Sequence, residues 1–239
     1  MFAKRNAIVV VVFSLLVGGF GGCGFMLTKE MVAELYRLPY SERPLGPQPN
    51  AEKMKPRFGG IPIKTLPVFI RGQGWNWYHP QVIEDSKKGG KRQSGKIHFT
   101  TDPERFIKIP GPPSDASADA FRTYIMELKE ELRGNGFNVT DAPCKYCLEI
   151  GGDFGYYFHK SREGWGAPDQ EVHLLVRPVL YWEGAVILAT RDDLIPNMSR
   201  KRIMPEDVKK VANFGAYLSR IEIVHTWCEV YGQEPCDTK

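Results

Sequence analysis

The chain has 239 residues, of which 42% are hydrophobic and 25% are charged, as in a globular protein that buries a core. The formal net charge of +4 is too small to indicate nucleic-acid binding by itself, and we expect no nucleic-acid partner. The length accommodates one domain and a linker after an N-terminal targeting segment.

The first 28 residues are typical of a membrane-targeting segment. Lys4 and Arg5 precede 21 residues without a charge, from Ala7 to Leu27. A basic start before an apolar core is the pattern of a signal peptide, and about 20 apolar residues also suffice to cross a bilayer as a helix. Residues 1–28 are therefore predicted to be a signal peptide or membrane anchor. Because basic residues stay on the cytoplasmic side, the bulk of the chain is predicted to lie on the periplasmic or extracellular side of a bacterial cell envelope.

A cysteine stands at the end of the apolar run. Cys23 follows Gly21 and Gly22, and this arrangement resembles the lipobox of bacterial lipoproteins. The resemblance implies that the leader is removed and that Cys23 is lipidated. An uncleaved signal anchor and a signal peptide cleaved without lipidation are the alternatives.

Four further cysteines lie in the predicted exported part. In an exported chain, Cys144, Cys147, Cys228 and Cys236 predict disulfides, for which three connectivities exist. The simplest joins Cys144 to Cys147 and Cys228 to Cys236, with cross-pairing between the two segments as the alternative. A redox role for the C-x-x-C would require a helix after it, where the sequence instead favours a strand.

Residues 29–65 are predicted to connect the targeting segment to the domain. Residues 25–38 have apolar and charged side chains at helical spacing, which favours a short amphipathic helix. From Pro39 to Pro67 the chain carries seven prolines, so neither a helix nor a central strand is expected there. Such a linker holds a domain away from a membrane, or lies along its own domain or a partner. The globular domain is predicted to span residues 66–239.

The domain is predicted to be α+β, or α/β, with one mixed sheet and two main helices packed on it. Apolar residues at helical spacing predict a helix that begins near Ser114 and ends at Gly134. Pro205, which two acidic residues follow, predicts the start of a second helix that continues to Cys228. Strands are expected at 68–70, 96–100, 106–109, 137–139, 148–150, 172–182 and 186–190, with a hairpin turn at 183–184.

The leader, the linker and the strand–helix–strand unit together resemble a group of small bacterial envelope lipoproteins with a tethered α/β domain. This group includes curli-export lipoproteins and activators of penicillin-binding proteins. The residues that carry the resemblance are Ala118, Phe121, Leu128, Leu132, Gly136, Phe137 and Val139. The resemblance implies a domain that binds proteins, pores or cell wall, and it supplies no catalytic residues.

Two segments concentrate aromatic side chains. Trp75 and Trp77 alternate within residues 73–79 and are expected to share one face of a strand, where core packing is the alternative to partner binding. Residues 151–170, which include the aromatic stretch 154–165, are predicted to form a long hairpin or a functional loop. Tyr, Trp and Arg dominate the hot spots of protein interfaces. The predicted partner-binding residues are Trp75, Trp77, Tyr156, Tyr157, Phe158, Arg162 and Trp165.

No catalytic motif of a common enzyme class is present in the sequence. Glu149 and Asp153 place two carboxylates near one strand end, and paired carboxylates can hydrolyse sugars, but such a pair is usually only solvated. The five histidines lack the spacing of metal ligands. We therefore expect no enzyme activity, no metal and no cofactor.

The leading hypothesis is a membrane-tethered binding or scaffold protein that acts as an accessory subunit of an envelope assembly. A cell-wall or polysaccharide-acting enzyme and a structural subunit of a secretion or conjugation machine are the alternatives. The expected partners are the membrane, through the N-terminus, and envelope proteins. A cell-wall polymer and an oligomeric assembly remain open.

Overall fold

The computed structural model describes residues 47–80, 106–112, 114–160, 170–190, 197–200 and 202–232. These residues form three α-helices, a short 3-10 helix and one sheet of eight strands. The predicted α+β class and the single mixed sheet are confirmed. The targeting segment at 1–28, with Cys23, and the remainder of the predicted linker up to residue 46 lie outside the described residues.

The elements follow one another as a helix, three strands, a helix, five strands and a helix. The helices are α1 (Ala51–Phe58), α2 (Asp115–Gly134) and α3 (Pro205–Tyr231), and the 3-10 helix spans Ile63–Thr65. The strands are β1 (Pro67–Ile70), β2 (Asn76–Pro80), β3 (Phe106–Ile109), β4 (Asn138–Thr140), β5 (Leu148–Lys160), β6 (Gln170–Trp182), β7 (Ala185–Ala189) and β8 (Asn197–Arg200). The expected strand at 96–100 lies outside the described residues.

The two longest strands form the centre of the sheet. β5 and β6 are antiparallel, in a register that runs from Glu149 opposite Tyr181 to Lys160 opposite Gln170. The other edge of β5 pairs in parallel first with β1 and then, further along, with β2. β4 extends the sheet beyond β1 in parallel, and β3 extends it beyond β2 in antiparallel. β7 and β8 both pair with the outer edge of β6.

The β6–β7 hairpin has the turn that the sequence predicts. Glu183 has φ 49° and Gly184 has φ 80°, so both central residues adopt the left-handed conformation of a type I′ turn. Pro178 lies in β6 where β7 ends, and its carbonyl oxygen accepts hydrogen bonds from the backbone N–H and the hydroxyl of Thr190. The N–H and C=O of one residue in an antiparallel strand point to the same side, so the missing N–H of this proline faces Thr190, one residue beyond the end of β7.

Local signals in the sequence fix the ends of α2 and α3. The hydroxyl of Ser114 caps α2 by accepting a hydrogen bond from the backbone N–H of Ser117, at 3.2 Å. Pro205 occupies the first turn of α3, where its missing N–H costs nothing. Gly232 then ends α3 with φ 70°. Both predicted helices are thus confirmed.

The helices cover one face of the sheet and bury the core there. Leu148, Ile150 and Phe154 alternate along β5 and are almost completely buried. The ring of Phe154 contacts Phe121 and Tyr124 of α2, with centroids 5.1 and 5.6 Å away. The intervening residues of β5 lie on the opposite face, which carries the polar side chains.

The prediction that the proline-rich linker forms no helix is wrong for residues 51–58, and from there to residue 65 the chain lies along its own domain, as the alternative allowed. Phe58, at the end of α1, is 1% exposed and packs edge-on against Trp182, Trp227 and Tyr231 at 5.3, 5.4 and 5.7 Å. Pro56 lies inside α1, but in a helix this short it removes a single hydrogen bond. Burial of Phe58 outweighs that loss, so the domain begins before residue 66.

Within the described residues, none of the helices is both long enough and apolar enough to cross a membrane.

Candidate binding groove

The first aromatic segment lies between two strands that share one edge of β5. After Ile70 the chain leaves the sheet and returns at Asn76, and Gly74, with φ 77°, permits the turn. Trp75 points inward and is 5% exposed. Its indole N–H donates a hydrogen bond to the carbonyl oxygen of Arg71, at 2.8 Å. The turn is therefore held closed by the side chain that it buries.

Both tryptophans pack against α2. The ring of Trp75 lies 5.5 Å from Phe121 and 5.9 Å from Tyr124, and the ring of Trp77 lies 5.2 Å from Phe121 and 5.5 Å from Phe154. All four contacts are edge-to-face, the geometry that aromatic quadrupoles favour. As expected, Trp75 and Trp77 face the same side. Core packing explains Trp75, whereas Trp77 keeps part of its surface accessible.

A groove opens between this turn and α2. Its volume is about 570 Å³. Met126 of α2 is 67% exposed and forms part of its wall. The lining consists of Gly72, Gln73, Gly74, Trp75, Trp77, Pro112, Ala118, Phe121, Arg122, Ile125 and Met126.

The described lining of the groove is mostly apolar. Arg122 is the only ionisable side chain among the described lining residues, and it forms an ion pair with Asp119. Tyr124 lies behind the aromatic wall, where burial raises the pKa of its hydroxyl well above the ordinary value. That hydroxyl bonds to the hydroxyl of Ser219 at 2.9 Å. The groove therefore presents neither a nucleophile nor a general base to an occupant.

The contribution of α2 to the groove was missed by the sequence analysis. The predicted stripe of α2 accounted for Ala118, Phe121 and Ile125 as core residues. Met126 lies next to that stripe, and an apolar residue beside a buried stripe is the signal that could have widened it. The structure shows that the stripe is broader than the core and that its margin lines the groove.

Of the two interpretations of residues 151–170, the long hairpin is confirmed for the described residues, because β5 and β6 pair in antiparallel as far as Lys160 and Gln170. β5 continues to Lys160, so Tyr156, Tyr157 and Phe158 are strand residues. Tyr156 packs partly against the core, and Phe158 is 44% exposed. Arg162 and Trp165 lie outside the described residues. Partner binding by this group stays a prediction.

The glycines that suggested a loop are required by close packing within the sheet. A Cβ atom on Gly155 would come within 2.7 Å of the carbonyl oxygen of Tyr78. Gly152 has φ 143°, and a Cβ atom there would collide with the carbonyl oxygen of Arg177. Glycine in a strand often marks such a close approach of two backbones. Gly152 and Gly155 therefore allow β5 to pack closely against the backbones of its two neighbouring strands.

The two carboxylates considered for catalysis are neutralised by arginines on the face of the sheet opposite the helices. Glu149 pairs with Arg71 at 2.5 Å. Asp153 is 2% exposed, forms an ion pair with Arg177, and accepts a hydrogen bond from the side-chain amide of Asn76 at 2.7 Å. These contacts cross from β5 to its neighbours, so they stabilise strand pairing.

One of the two predicted disulfides lies within the described residues. Cys144 and Cys147 are paired in the turn before β5, with their Cα atoms 5.3 Å apart. This pairing confirms the simplest connectivity for the C-x-x-C segment. Cys228 is buried in α3, and Cys236 lies outside the described residues. Across the described part of the chain, no group of His, Cys, Asp and Glu side chains has the arrangement of a metal site.

The chain thus folds as an α+β domain with a largely apolar groove between α2 and the turn after β1. No protein-family model and no curated protein matches the chain.

Proposed function

We propose that this chain is a membrane-tethered accessory subunit of a bacterial envelope assembly, and that its groove binds apolar side chains of a partner protein. The observation that carries the proposal is the groove itself, which has a largely apolar lining and a volume of about 570 Å³. Pockets that bind ligands typically measure about 300–1,000 Å³. Covering the exposed apolar lining is favourable, in proportion to the area removed from water.

The composition of the lining favours a protein partner over a substrate. Trp, Phe, Met and Arg are enriched in protein interfaces, and all four line the groove. Met126 has a flexible and polarisable side chain, which adapts to the shape of an incoming side chain. The lining offers no described group for acid–base or nucleophilic catalysis. The lining residues therefore suit the binding of a partner protein.

The tether is the second part of the proposal, and its support is the sequence. Lys4 and Arg5 precede the apolar run, and this order directs the remainder of the chain across the membrane. The resemblance to envelope lipoproteins, with Cys23 as the lipidated residue, supports the same location. A domain on a tether finds its partner within a small volume, which raises its effective concentration.

The experiment is photocrosslinking of the full chain in the membranes of its native host. A photoreactive amino acid replaces Met126 in one variant and Glu130 in the control. Both side chains are exposed on α2, but Glu130 does not line the groove. We expect a discrete protein adduct from position 126 and a much weaker one from position 130.

A third variant tests whether the contact lies in the groove. Phe121 and Ile125 stay unchanged, because both are buried in the core, and Ala118→Trp is combined with the photoreactive group at position 126. Ala118 lines the groove and is only half-buried, so a bulky side chain there fills the space that an occupant would take, and the adduct is expected to disappear. Equal adducts from positions 126 and 130, or adducts with lipid alone, would contradict the proposal.

A further inference from the structure

A second surface of the domain combines exposed cations with aromatic rings. It consists of α1, the turn before β5 and the end of β6. The guanidinium of Arg57 lies over the ring of Trp182, 4.2 Å from its centroid. Tyr146 stacks on the same tryptophan, with centroids 6.4 Å apart and 26° between the planes. Lys145 lies 5.2 Å from the ring of Tyr146. We call this the basic–aromatic surface.

The basic–aromatic surface carries a positive surplus. Lys53 lies one helical turn before Arg57, so the two cations share a face of α1. Neither of them, nor Lys145, forms an ion pair with a described acidic residue. Tyr146 is 55% exposed in spite of its stacking contact. Within α1, residues 144–147 and the turn 183–184, four basic side chains (Lys53, Lys55, Arg57 and Lys145) stand against two acidic ones (Glu52 and Glu183), a surplus of two positive charges.

The N-terminal part of the chain joins the domain beside this surface. The side-chain amide of Gln48 donates to the carbonyl oxygen of Ala189, at 2.7 Å. The side-chain amide of Asn50 donates to the carbonyl oxygen of Val186, at 2.6 Å. Both acceptors belong to β7, which follows Trp182 across a two-residue turn. The described chain therefore begins next to the basic–aromatic surface and continues directly into α1.

We infer that the basic–aromatic surface binds the anionic phospholipid headgroups of the membrane that carries the N-terminus. This inference rests on the tether in the proposed function, because the tether brings this side of the domain to the bilayer. Lysine and arginine side chains are attracted to anionic lipids, and tyrosine favours the headgroup region. The membrane contact leaves the groove beside α2 available to a protein partner.

An acidic protein has the same charge as an anionic bilayer, but the position of the surface favours the bilayer. The cations lie side by side along one helix and one turn, beside the point where the tether begins. A cluster of exposed cations beside a tether can contact several headgroups at once. Binding to an acidic protein is therefore treated as an outcome of the test.

The test uses the full chain with two kinds of vesicle, one of phosphatidylcholine alone and one that also contains phosphatidylglycerol. Flotation first reports whether the protein stays with each vesicle. Amine acetylation then reports how accessible Lys53 and Lys145 are, with Lys209, on α3 and 68% exposed, as the internal control. We expect acetylation of Lys53 and Lys145 to be slower on anionic vesicles by at least about fivefold, the order of gain for one cation near an anionic surface.

Two double variants separate the surface from the general charge of the domain. Lys53→Glu with Lys145→Glu reverses charge on the basic–aromatic surface. Lys108→Glu with Lys209→Glu makes the same change in net charge at exposed lysines elsewhere. We expect the first pair to stay on both kinds of vesicle but to lose the protection of Lys55 of α1, 49% exposed, from acetylation on anionic vesicles, and the second pair to keep that protection. Salt at about 0.5 M is also expected to remove the protection, because it shortens the range of the attraction between the cations and the anionic headgroups to roughly 4 Å.

The outcomes distinguish the two proposals. Flotation with both kinds of vesicle but equal acetylation overturns the lipid contact and leaves the tether. Flotation with anionic vesicles alone supports the lipid contact and overturns the tether. Flotation with neither overturns both. Protection that appears only after a second envelope protein is added overturns the lipid contact in favour of an acidic protein.

Discussion

A buried ion pair between α2 and α3 provides a sharp test of the fold. The Nε atom of Arg220 donates to a carboxylate oxygen of Glu131, at 2.9 Å. The two side chains are only 5% and 10% exposed. The amide of Asn135 also donates to Glu131, at 3.2 Å. We predict that Arg220→Met destabilises the domain strongly, because it leaves a carboxylate buried without its cation.

The expected size follows from the burial. Removing one partner of a buried ion pair costs about 3–5 kcal/mol, whereas replacing both by apolar residues is often neutral. For a domain of this size, each kcal/mol lowers the melting temperature by about 2–4 °C. Arg220→Met is therefore expected to lower it by about 6–20 °C. Arg220→Met combined with Glu131→Leu is expected to recover most of that loss.

The assay is urea unfolding of the full-length protein in detergent, followed by tryptophan fluorescence. The wild type, the two single variants and the double variant form a mutant cycle, which isolates the energy of the pair. Lys209→Met is the matched control, because it removes a cation that is 68% exposed and also pairs with α2. If each single variant costs under about 1 kcal/mol, the pair behaves as a surface pair and the packing of α2 on α3 is incorrect. A double variant that equals the sum of the single variants would contradict the contact itself.

Three further predictions concern the sheet, the turn before it and the end of α3. Gly152→Ala is expected to destabilise the domain by more than about 1 kcal/mol in urea unfolding, because its Cβ atom would strike the backbone of Arg177, and an unchanged midpoint would show that the strands are further apart. Replacing Cys144 and Cys147 by serine is expected to lower stability only slightly, since the disulfide closes a very short loop, and non-reducing mass spectrometry that finds both thiols free in the native protein would contradict the pairing. Burial raises the pKa of Tyr231 from its ordinary value of 10.0 to about 12, so the contribution of this residue to stability is fully present below pH 10 and is lost as the pH rises from 10 through 12. Tyr231→Phe should therefore make alkaline unfolding less steep, and an unaltered pH profile would refute this assignment.

Elements with local signals were predicted well from the sequence. Ser114 and Pro205 mark the starts of α2 and α3 through backbone geometry that depends on neighbours in the chain. The turn at Glu183 and Gly184 is specified in the same way. These features need no knowledge of the remainder of the fold, which is why the sequence alone was sufficient.

The errors concern residues whose structure depends on distant partners. Pro56 argued against a helix, but α1 is stabilised by Phe58 contacting Trp182 and Trp227, and no local pattern reports that contact. Gly155 left a loop open beside the hairpin, but its missing side chain accommodates the backbone of β2. Local preference was overruled by tertiary packing in both cases.

The candidate groove was predicted in part. The alternation of Trp75 and Trp77 correctly indicated a shared face, and the sequence left core packing and binding open as alternatives. In the structure Trp75 is buried, as core packing requires, whereas Met126 is exposed on the α2 side of the groove. The groove forms only when the turn after β1 meets α2, some 50 positions later in the chain.

The packing of α1 sets the order in which this domain can be completed. α1 leaves the ribosome before the other described helices and strands, yet Phe58 packs on Trp227 and Tyr231 of the last described helix. The indole N–H of Trp227 also donates to the carbonyl oxygen of Ile61, at 2.9 Å, across 166 positions of sequence. During synthesis from the N-terminus, Phe58 therefore stays only partly covered until α3 is made, and a chain in that state is vulnerable to aggregation. A nascent domain of this design therefore benefits from a holding chaperone until its final helix is released.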